Sequence, residues 1–245
     1  MPIVTARSIV LRTYPYSDTS KILRLMTLEH GPRSAIAKGA RRPGSRFGGL
    51  IEPFAEGRAT LYLKENRDLH TLSDFDLIRE RQGLGVDLLR FAGASVLCEL
   101  VMRLAPEHPD DRLFAALRSG LDELIEAPAE AAEAVALTEI WRLVGLLGFH
   151  PSLDRCVRCG RAVPDDTALR FDFAAGGVRC VRCGDEGRRL EASELGVLRR
   201  LVSGDRVDGE IDRRQRRLLR DFVRYHMAEG LRLKSLDYLA GEGAG

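Results

Sequence analysis

The stretch KILRLMTLE, residues 21–29, alternates in the way that decides the fold of the first third of the chain. In an extended chain every second side chain lies on the same face, and each face of this stretch carries leucine, isoleucine or methionine. A strand with apolar side chains on both faces is more than half buried. The stretch therefore predicts a strand that belongs to a closed or well-covered sheet.

Four further runs rich in valine, isoleucine, leucine and threonine flank this stretch and are separated by turn signals such as His30-Gly31-Pro32 and Pro43-Gly44. Together they predict five strands, at 3–14, 21–30, 33–38, 51–64 and 68–75. Five strands in fewer than 80 residues favour a small closed or half-closed barrel, because closure removes exposed edges. An open sheet packed on later helices is the alternative.

From about residue 81 the apolar positions recur at helical spacing. The pattern predicts helices at 88–105, 110–127, 129–149, 191–204 and 213–233, and a flexible tail at 241–245. The predicted fold class is therefore α+β with several domains. The predicted boundaries are 1–80 for the barrel, 81–150 and 191–240 for two parts of a helical domain, and 151–190 for a cysteine-rich insert.

The net charge of +2 conceals an uneven distribution. Residues 1–80 carry 13 lysines and arginines against 9 acidic residues, whereas 81–150 carry 6 against 11 and 151–245 carry 19 against 16. A basic first segment, an acidic middle and a basic last segment indicate modules with different partners. No apolar run reaches the ~18 residues of a membrane helix, and the first 16 residues do not match a signal peptide. We expect no membrane partner and a cytoplasmic, nucleoid-associated location.

Four of the five cysteines form two CVRCG motifs with the spacing C-x2-C-x20-C-x2-C, namely Cys156, Cys159, Cys180 and Cys183. In a reducing compartment this spacing favours one structural Zn²⁺ in a four-thiolate shell. A full sulfur shell leaves no position for a reactive water, so hydrolytic zinc chemistry is not expected. A dithiol redox pair and a reactive zinc–thiolate sensor are the alternatives. The intervening segment 161–179 is too polar to form its own core, and metal binding is expected to fold it.

A glycine-rich stretch free of acidic residues, KGARRPGSRFGG at 38–49, carries the main basic cluster. Guanidinium groups on a flexible turn suit phosphate oxygens, and an aromatic ring can stack on an exposed base. The predicted nucleic-acid contacts are Lys38, Arg41, Arg42, Arg46 and Phe47 on the loop, and Arg12, Arg24 and Arg33 on neighbouring strands. A solvated, mobile loop is the alternative.

A second basic cluster lies on the predicted helix 213–233. Arg213, Arg217 and Arg220 share a face by i,i+4 and i,i+3 spacing and are a possible secondary basic surface. A solvated helix face is an equal alternative. No nucleotide-binding GxxxxGK[ST], HExxH or acidic nuclease motif occurs, so we predict a protein that is not an enzyme.

Four stretches together resemble the RecO family of bacterial recombination and repair proteins. They are AKGARRPGSRFGGLIEPF at 37–54, LLGFHPSLDRCVRCG at 146–160, GGVRCVRC at 176–183 and GLRLKSLDYL at 230–239. The resemblance implies an N-terminal OB-fold, a helical domain and an embedded zinc knuckle. It also implies binding to single- and double-stranded DNA, annealing of complementary strands and assistance in loading RecA. RecR is the implied partner, with RecF and the single-strand-binding protein as further candidates.

Two rival functions remain open at the level of sequence. One is a zinc-ribbon regulator of transcription whose knuckle contacts DNA. The other is an interaction scaffold in which the acidic helical segment matters and the basic loop is incidental.

Overall fold

Alternating apolar residues form five strands near the N-terminus of the computed structural model. They are β1 (Ile3–Pro15), β2 (Lys21–Thr27), β3 (Gly31–Ala37), β4 (Glu56–Tyr62) and β5 (Leu69–Arg79). The structure describes residues 2–63, 67–164, 168–205, 207, 209, 211–226 and 233–241. The chain divides into two compact units, Met1–Glu126 and Ala127–Gly245, and the division falls inside the predicted helical segment 81–150.

The five strands close into a barrel in the order β1-β2-β3-β5-β4. β1 pairs with both β2 and β4 in antiparallel fashion, and β3 pairs in parallel with β5, so every strand has two neighbours. This order closes the ring with one parallel pair, and the prediction of a closed barrel is confirmed. The open-sheet alternative is wrong because the β1–β4 and β3–β5 pairings remove both edges.

The interior of the barrel is filled by side chains from all five strands, including Leu23, Leu25, Leu61 and Phe75, each at most 2 % exposed. The fourth strand begins at Glu56, five residues after its predicted start, because the segment 38–55 folds into successive turns. Ile51 from that segment is 1 % exposed within the same core.

Two helices complete the first unit, α1 (Leu88–Leu104) and α2 (Asp111–Glu126), after a single 3₁₀ turn at Gln82–Gly85. Both helices begin at an aspartate whose side chain accepts a backbone hydrogen bond. Asp87 accepts from the N–H of Arg90 at 2.8 Å and Asp110 from that of Leu113 at 2.9 Å. The predicted bounds of both helices are confirmed to within a residue.

A buried arginine joins the barrel to α2. Arg81 has a fully buried side chain whose guanidinium donates to Glu56 Oε2 at 3.0 Å, Asp122 Oδ1 at 2.7 Å and the carbonyl of Phe54 at 2.8 Å. Glu56 is itself buried and also pairs with Arg7 at 2.6 Å. Because the guanidinium of Arg81 is hydrogen-bonded to all three of these acceptors, the hydrogen bonds offset the cost of removing the charges from water.

Replacing this arginine by methionine is expected to lower the free energy of unfolding by about 3–5 kcal/mol, because Glu56 then keeps a buried charge with one partner fewer. The measurement is urea denaturation of the full chain followed by circular dichroism. Arg79→Met is the matched control: Arg79 pairs with Asp122 and Glu126 but is 41 % exposed, so its loss should cost no more than about 1 kcal/mol. Equal losses for the two variants would contradict the argument.

The second unit contains four helices and a small sheet among its described residues. The helices are α3 (Ala132–Leu146), α4 (Ala192–Ser203), α5 (Arg213–His226) and α6 (Lys234–Leu239), and the strands are β6 (Leu169–Asp172), β7 (Gly177–Arg179) and β8 (Arg188–Leu190). α6 was not predicted. Residues 227–232 of the predicted fifth helix and 242–245 of the predicted tail lie outside the described residues.

The segment between the cysteine pairs has a buried apolar face, contrary to the expectation that it is too polar to form a core. Leu169, Phe171 and Val178 are at most 2 % exposed, and the ring of Phe171 packs 5.9 Å from that of Phe222 in α5. The reason is the alternation in LRFD, which places two apolar side chains on one face of β6. No helix in the described part of the chain is long and apolar enough to cross a membrane.

Candidate nucleic-acid interface and metal centre

The basic loop, residues 38–55 between β3 and β4, is a series of turns anchored in the barrel. Backbone hydrogen bonds from Arg42 to Gly39, from Ser45 to Arg42 and from Gly48 to Ser45 link successive turns at 3.0–3.1 Å. The loop also donates to the β1–β2 connection, where the N–H of Arg41 reaches the carbonyl of Thr19 at 3.0 Å. These backbone hydrogen bonds therefore fix the conformation of the loop and attach it to the barrel.

The four cations predicted on this loop are all exposed: Lys38, Arg41, Arg42 and Arg46. Among the residues that the structure describes, no acidic side chain pairs with any of them. Arg41 Nη1 donates to the carbonyl of Ser17 at 2.8 Å, and the guanidinium of Arg46 lies 5.0 Å from the centroid of the Phe47 ring. Unpaired guanidinium groups keep their donors available for an anionic ligand such as phosphate.

The structure corrects the prediction for Phe47. Its side chain is 2 % exposed and packs in the barrel core with Ile51, Leu61 and Leu72, so the ring has no surface for a base. The physical reason is that a glycine-rich loop of this length needs an apolar anchor. Burial of one aromatic side chain contributes about 1.5–3 kcal/mol to that anchoring.

The predicted strand cations lie on β1, β2 and β3. The register places Arg12 opposite Arg24 and Arg24 opposite Ser34 across β1, β2 and β3. Arg12 pairs with Glu99 at 3.4 Å, and Arg24 donates to the Ser34 hydroxyl. Arg33 donates from Nη1 to the carbonyls of Pro32 at 2.7 Å and Glu107 at 3.4 Å.

The predicted basic face of α5 divides into two parts. Arg213 and Arg217 are exposed, whereas Arg220 is 8 % exposed and pairs with Asp221 at 2.6 Å. The predicted surface of three arginines is therefore wrong for Arg220, which is buried. α5 buries Leu219, Phe222 and Val223, and the side chain of Arg220 falls at the edge of that apolar stripe.

The two CxxC pairs converge on one point. The ligand atoms of Cys156, Cys159, Cys180 and Cys183 all lie within 4.8 Å of one another, and Cys159 Sγ is 3.8 Å from Cys180 Sγ. A tetrahedral site with Zn–S distances of ~2.3 Å has sulfur–sulfur edges of ~3.8 Å. The four sulfurs therefore fit a single tetrahedral cation.

Backbone hydrogen bonds hold the two cysteine-bearing segments together. The N–H of Val178 donates to Ser152 O at 2.9 Å and that of Val157 to Val178 O at 2.9 Å. Gly177 lies at this crossing, where an added Cβ would come within 2.4 Å of the Ser152 carbonyl oxygen. Only glycine permits this approach, so the convergence of the four sulfurs depends on a residue outside the CxxC motifs.

The thiols differ in acidity. Burial opposes ionisation of Cys156, but hydrogen bonds from the backbone N–H groups of Cys180, Cys159 and Arg158 outweigh it and lower its pKa to about 6. Hydrogen bonds with Cys159 and Cys180 raise the pKa of Cys183 to about 12. When a metal ion binds, thiols that are hydrogen-bonded to one another in this way release their protons and bind the ion as thiolates. Cys98, by contrast, lies in α1 outside the cluster, and burial raises the pKa of its thiol.

Sequence pattern does not single out Arg67, which lies in the connection between β4 and β5 and lines a cleft together with Arg24 and Arg33. An isolated arginine in a polar turn carries no motif. The strand order is what points to Arg67, because a five-stranded barrel of OB type binds ligands with β2, β3 and the β4–β5 connection.

Family models match almost the whole chain. The model for "Recombination protein O N terminal" matches residues 1–81, and that for "Recombination protein O C terminal" matches residues 85–237. The DNA repair protein RecO of Symbiobacterium thermophilum is 34% identical over 98% of this chain and 97% of its own length. The DNA repair protein RecO of Pelobacter propionicus is 36% identical over 94% of this chain and 93% of its own. The chain, with its closed barrel, its helices and its four clustered cysteines, belongs to the RecO family.

Proposed function

We propose that this protein is a non-enzymatic DNA-binding mediator of recombination in DNA repair. In this function it binds single- and double-stranded DNA with little dependence on sequence, anneals complementary strands and assists the loading of RecA. Membership in the RecO family supports the role in DNA repair, and the relatives are named as DNA repair proteins. RecR is the proposed partner, with RecF and the single-strand-binding protein as further partners, and the site of action is the nucleoid in the cytoplasm.

The observation that carries the DNA-binding proposal is the basic loop, defined above as residues 38–55. Four exposed cations, with no acidic partner in the described part of the chain, lie on a loop whose base is fixed in a closed barrel. Such a loop contacts phosphates and sugars without reading base edges, which gives affinity without sequence preference. The rival transcription regulator contacts base edges through its metal-binding knuckle and so requires a preferred duplex sequence, whereas binding through the basic loop requires none.

We propose that the cation held by the four cysteines is Zn²⁺ and that its role is structural. Four thiolates in a tetrahedral arrangement are the usual donor set of closed structural zinc sites. When bound, zinc supplies a crosslink between the two cysteine-bearing segments. The protein contributes the thiolates and the backbone N–H donors that stabilise them.

The proposed function is tested by fluorescence anisotropy of the full chain with labelled single strands of three unrelated sequences and with duplex DNA, over a series of salt concentrations. We expect affinities within about threefold of each other among the single strands and a linear fall of log K with log salt concentration. Mixing two complementary strands should give faster annealing with the protein than without it. A strong preference for one duplex sequence would support the transcription regulator, and absence of binding would support the scaffold.

A further inference from the structure

The four clustered sulfurs differ in their access to solvent. Cys156 is 2 % exposed, Cys180 and Cys183 are partly exposed, and Cys159 is exposed. Oxidation of a cysteine depends on its exposure and on its thiolate character, and metal ligation holds sulfurs as thiolates. Cys159 is therefore the sulfur of this cluster that a small oxidant in solution meets first.

A sulfur of the other CxxC pair stands beside Cys159. The two Sγ atoms of Cys159 and Cys180 are 3.8 Å apart. A disulfide has an S–S length of ~2.05 Å, so these atoms need to approach each other by about 1.8 Å. Cys156 is a poorer partner, because it is buried and its Sγ accepts a hydrogen bond from the N–H of Cys180 at 3.4 Å. The geometry favours a bond between the two pairs over a bond within the first pair.

The segments that carry the cysteines have contacts that do not involve the metal. Backbone hydrogen bonds of 2.9 Å join Val178 to Ser152 and to Val157, and the side chains of Phe171 and Val178 are fully buried. A disulfide between Cys159 and Cys180 links the same two segments that a bound cation links. Loss of the metal by this route therefore leaves the segments connected and the fold in place.

We propose that Cys159 and Cys180 form a site of oxidative modification, at which a peroxide converts the metal-binding set of sulfurs into a disulfide-bonded set without metal. The inference rests on the proposed zinc role and adds to it a reaction of the protein's own sulfurs. Cys156 and Cys183, one from each pair, remain as thiols, and two sulfurs do not complete a four-thiolate shell. The chain therefore gives up its cation when the disulfide forms.

The reaction takes two steps. The Cys159 thiolate attacks one oxygen of hydrogen peroxide. An S–O bond forms, the O–O bond breaks, and the hydroxide that leaves takes a proton from solvent and becomes water. The Cys180 thiolate then attacks the sulfur of the Cys159 sulfenic acid. The S–S bond forms, the S–O bond breaks, and a second hydroxide is protonated to water. The two sulfurs lose two electrons in total, and one peroxide is reduced to two waters.

The test treats the full chain, loaded with zinc, with hydrogen peroxide. A colorimetric indicator measures the released zinc, differential alkylation with mass spectrometry maps the disulfides, and circular dichroism follows the fold. We expect release of the bound zinc, recovery of Cys159 linked to Cys180, and an unchanged circular dichroism spectrum. Dithiothreitol followed by zinc should restore the starting state. Cys98, which is buried outside the cluster, should remain a thiol throughout.

Cys159→His and Cys183→His provide a matched pair of variants. Each replaces one sulfur by an imidazole and keeps a donor set of three cysteines and one histidine, which also binds structural zinc. Only Cys183→His retains both Cys159 and Cys180. Peroxide should therefore release its zinc at least about tenfold faster than that of Cys159→His. Equal rates of release from the two variants would overturn the assignment.

The outcomes separate this site from the proposed zinc role. In the unchanged protein, a disulfide within either CxxC pair, or sulfonic acids without a disulfide, overturns the inference, and this result does not depend on whether the histidine variants fold. Zinc binding without a Cys159–Cys180 disulfide after peroxide overturns the inference alone. If the purified chain binds no zinc, the zinc proposal fails with it. Loss of the circular dichroism signal on oxidation would contradict the expectation that the fold is kept.

Discussion

Replacing Lys38, Arg41, Arg42 and Arg46 by alanine is expected to flatten the salt dependence of single-strand binding by about 3 units of log–log slope. Each phosphate contact to a single strand releases ~0.7 counterion, so four lost contacts account for this change. If the affinity at 1 M salt is unchanged, the same slope corresponds to a loss of several hundredfold at 0.1 M salt. The reason lies in the structure. These cations have no acidic partner among the described residues, so they can contact phosphates without first breaking an ion pair.

The control for this variant removes four other exposed arginines, at positions 58, 103, 112 and 200. The net charge of the two variants is the same, so any difference in slope reports the position of the charges and not their sum. We expect the control to change the slope by less than 1 unit. Equal slopes in the two variants would show that the basic loop does not contact the strand.

Cys156→Ser is expected to abolish stoichiometric zinc and to destabilise the second unit. Structural zinc contributes about 10–16 kcal/mol in isolated zinc-finger peptides. The effect here should be smaller, because β6 and β7 also bury Leu169, Phe171 and Val178. A loss of ~3 kcal/mol would lower the Tm of a unit of this size by roughly 10 °C. Metal analysis after dialysis and a thermal scan by circular dichroism provide the two measurements.

The matched control is Cys98→Ala, which removes a thiol outside the cluster and should retain one zinc per chain. DNA affinity of the Cys156→Ser variant, measured below its transition, should remain close to that of the unchanged protein, because the basic loop belongs to the first unit. Loss of affinity in a variant that keeps its thermal stability would mean that the metal centre itself contacts DNA.

Local chemistry explains what could be predicted. The alternation of 21–29 identified a buried strand without any knowledge of its partners, because side chains alternate wherever a chain is extended. The cysteine spacing identified the four residues that cluster at metal-binding distance, because each CxxC turn brings its own two sulfurs together. Helix α1 was predicted closely because its apolar positions recur at helical spacing and the prolines at 106 and 109 prevent its continuation.

Residues close together in sequence can differ in exposure, because tertiary packing sets the exposure of each side chain. Arg46 is exposed and Phe47 is buried, although a loop motif treats them as one cluster. Arg217 is exposed and Arg220 is buried beside Asp221, although helical spacing places them on one face. In both cases the exposure of the residue depends on which nearby side chains pack into the core. The local sequence does not contain the surface against which they pack.

By itself the sequence determined the five barrel strands, the bounds of α1, α2 and α4, the two cysteine pairs and the loop that concentrates positive charge, because these depend on spacing along the chain. Only the tertiary structure decided the parallel pairing of β3 with β5, the closure of the barrel and the burial of Arg81. It also brought Arg24, Arg33 and Arg67 to one cleft. These features join residues that are far apart in the chain, and strand register and close backbone approach set their positions.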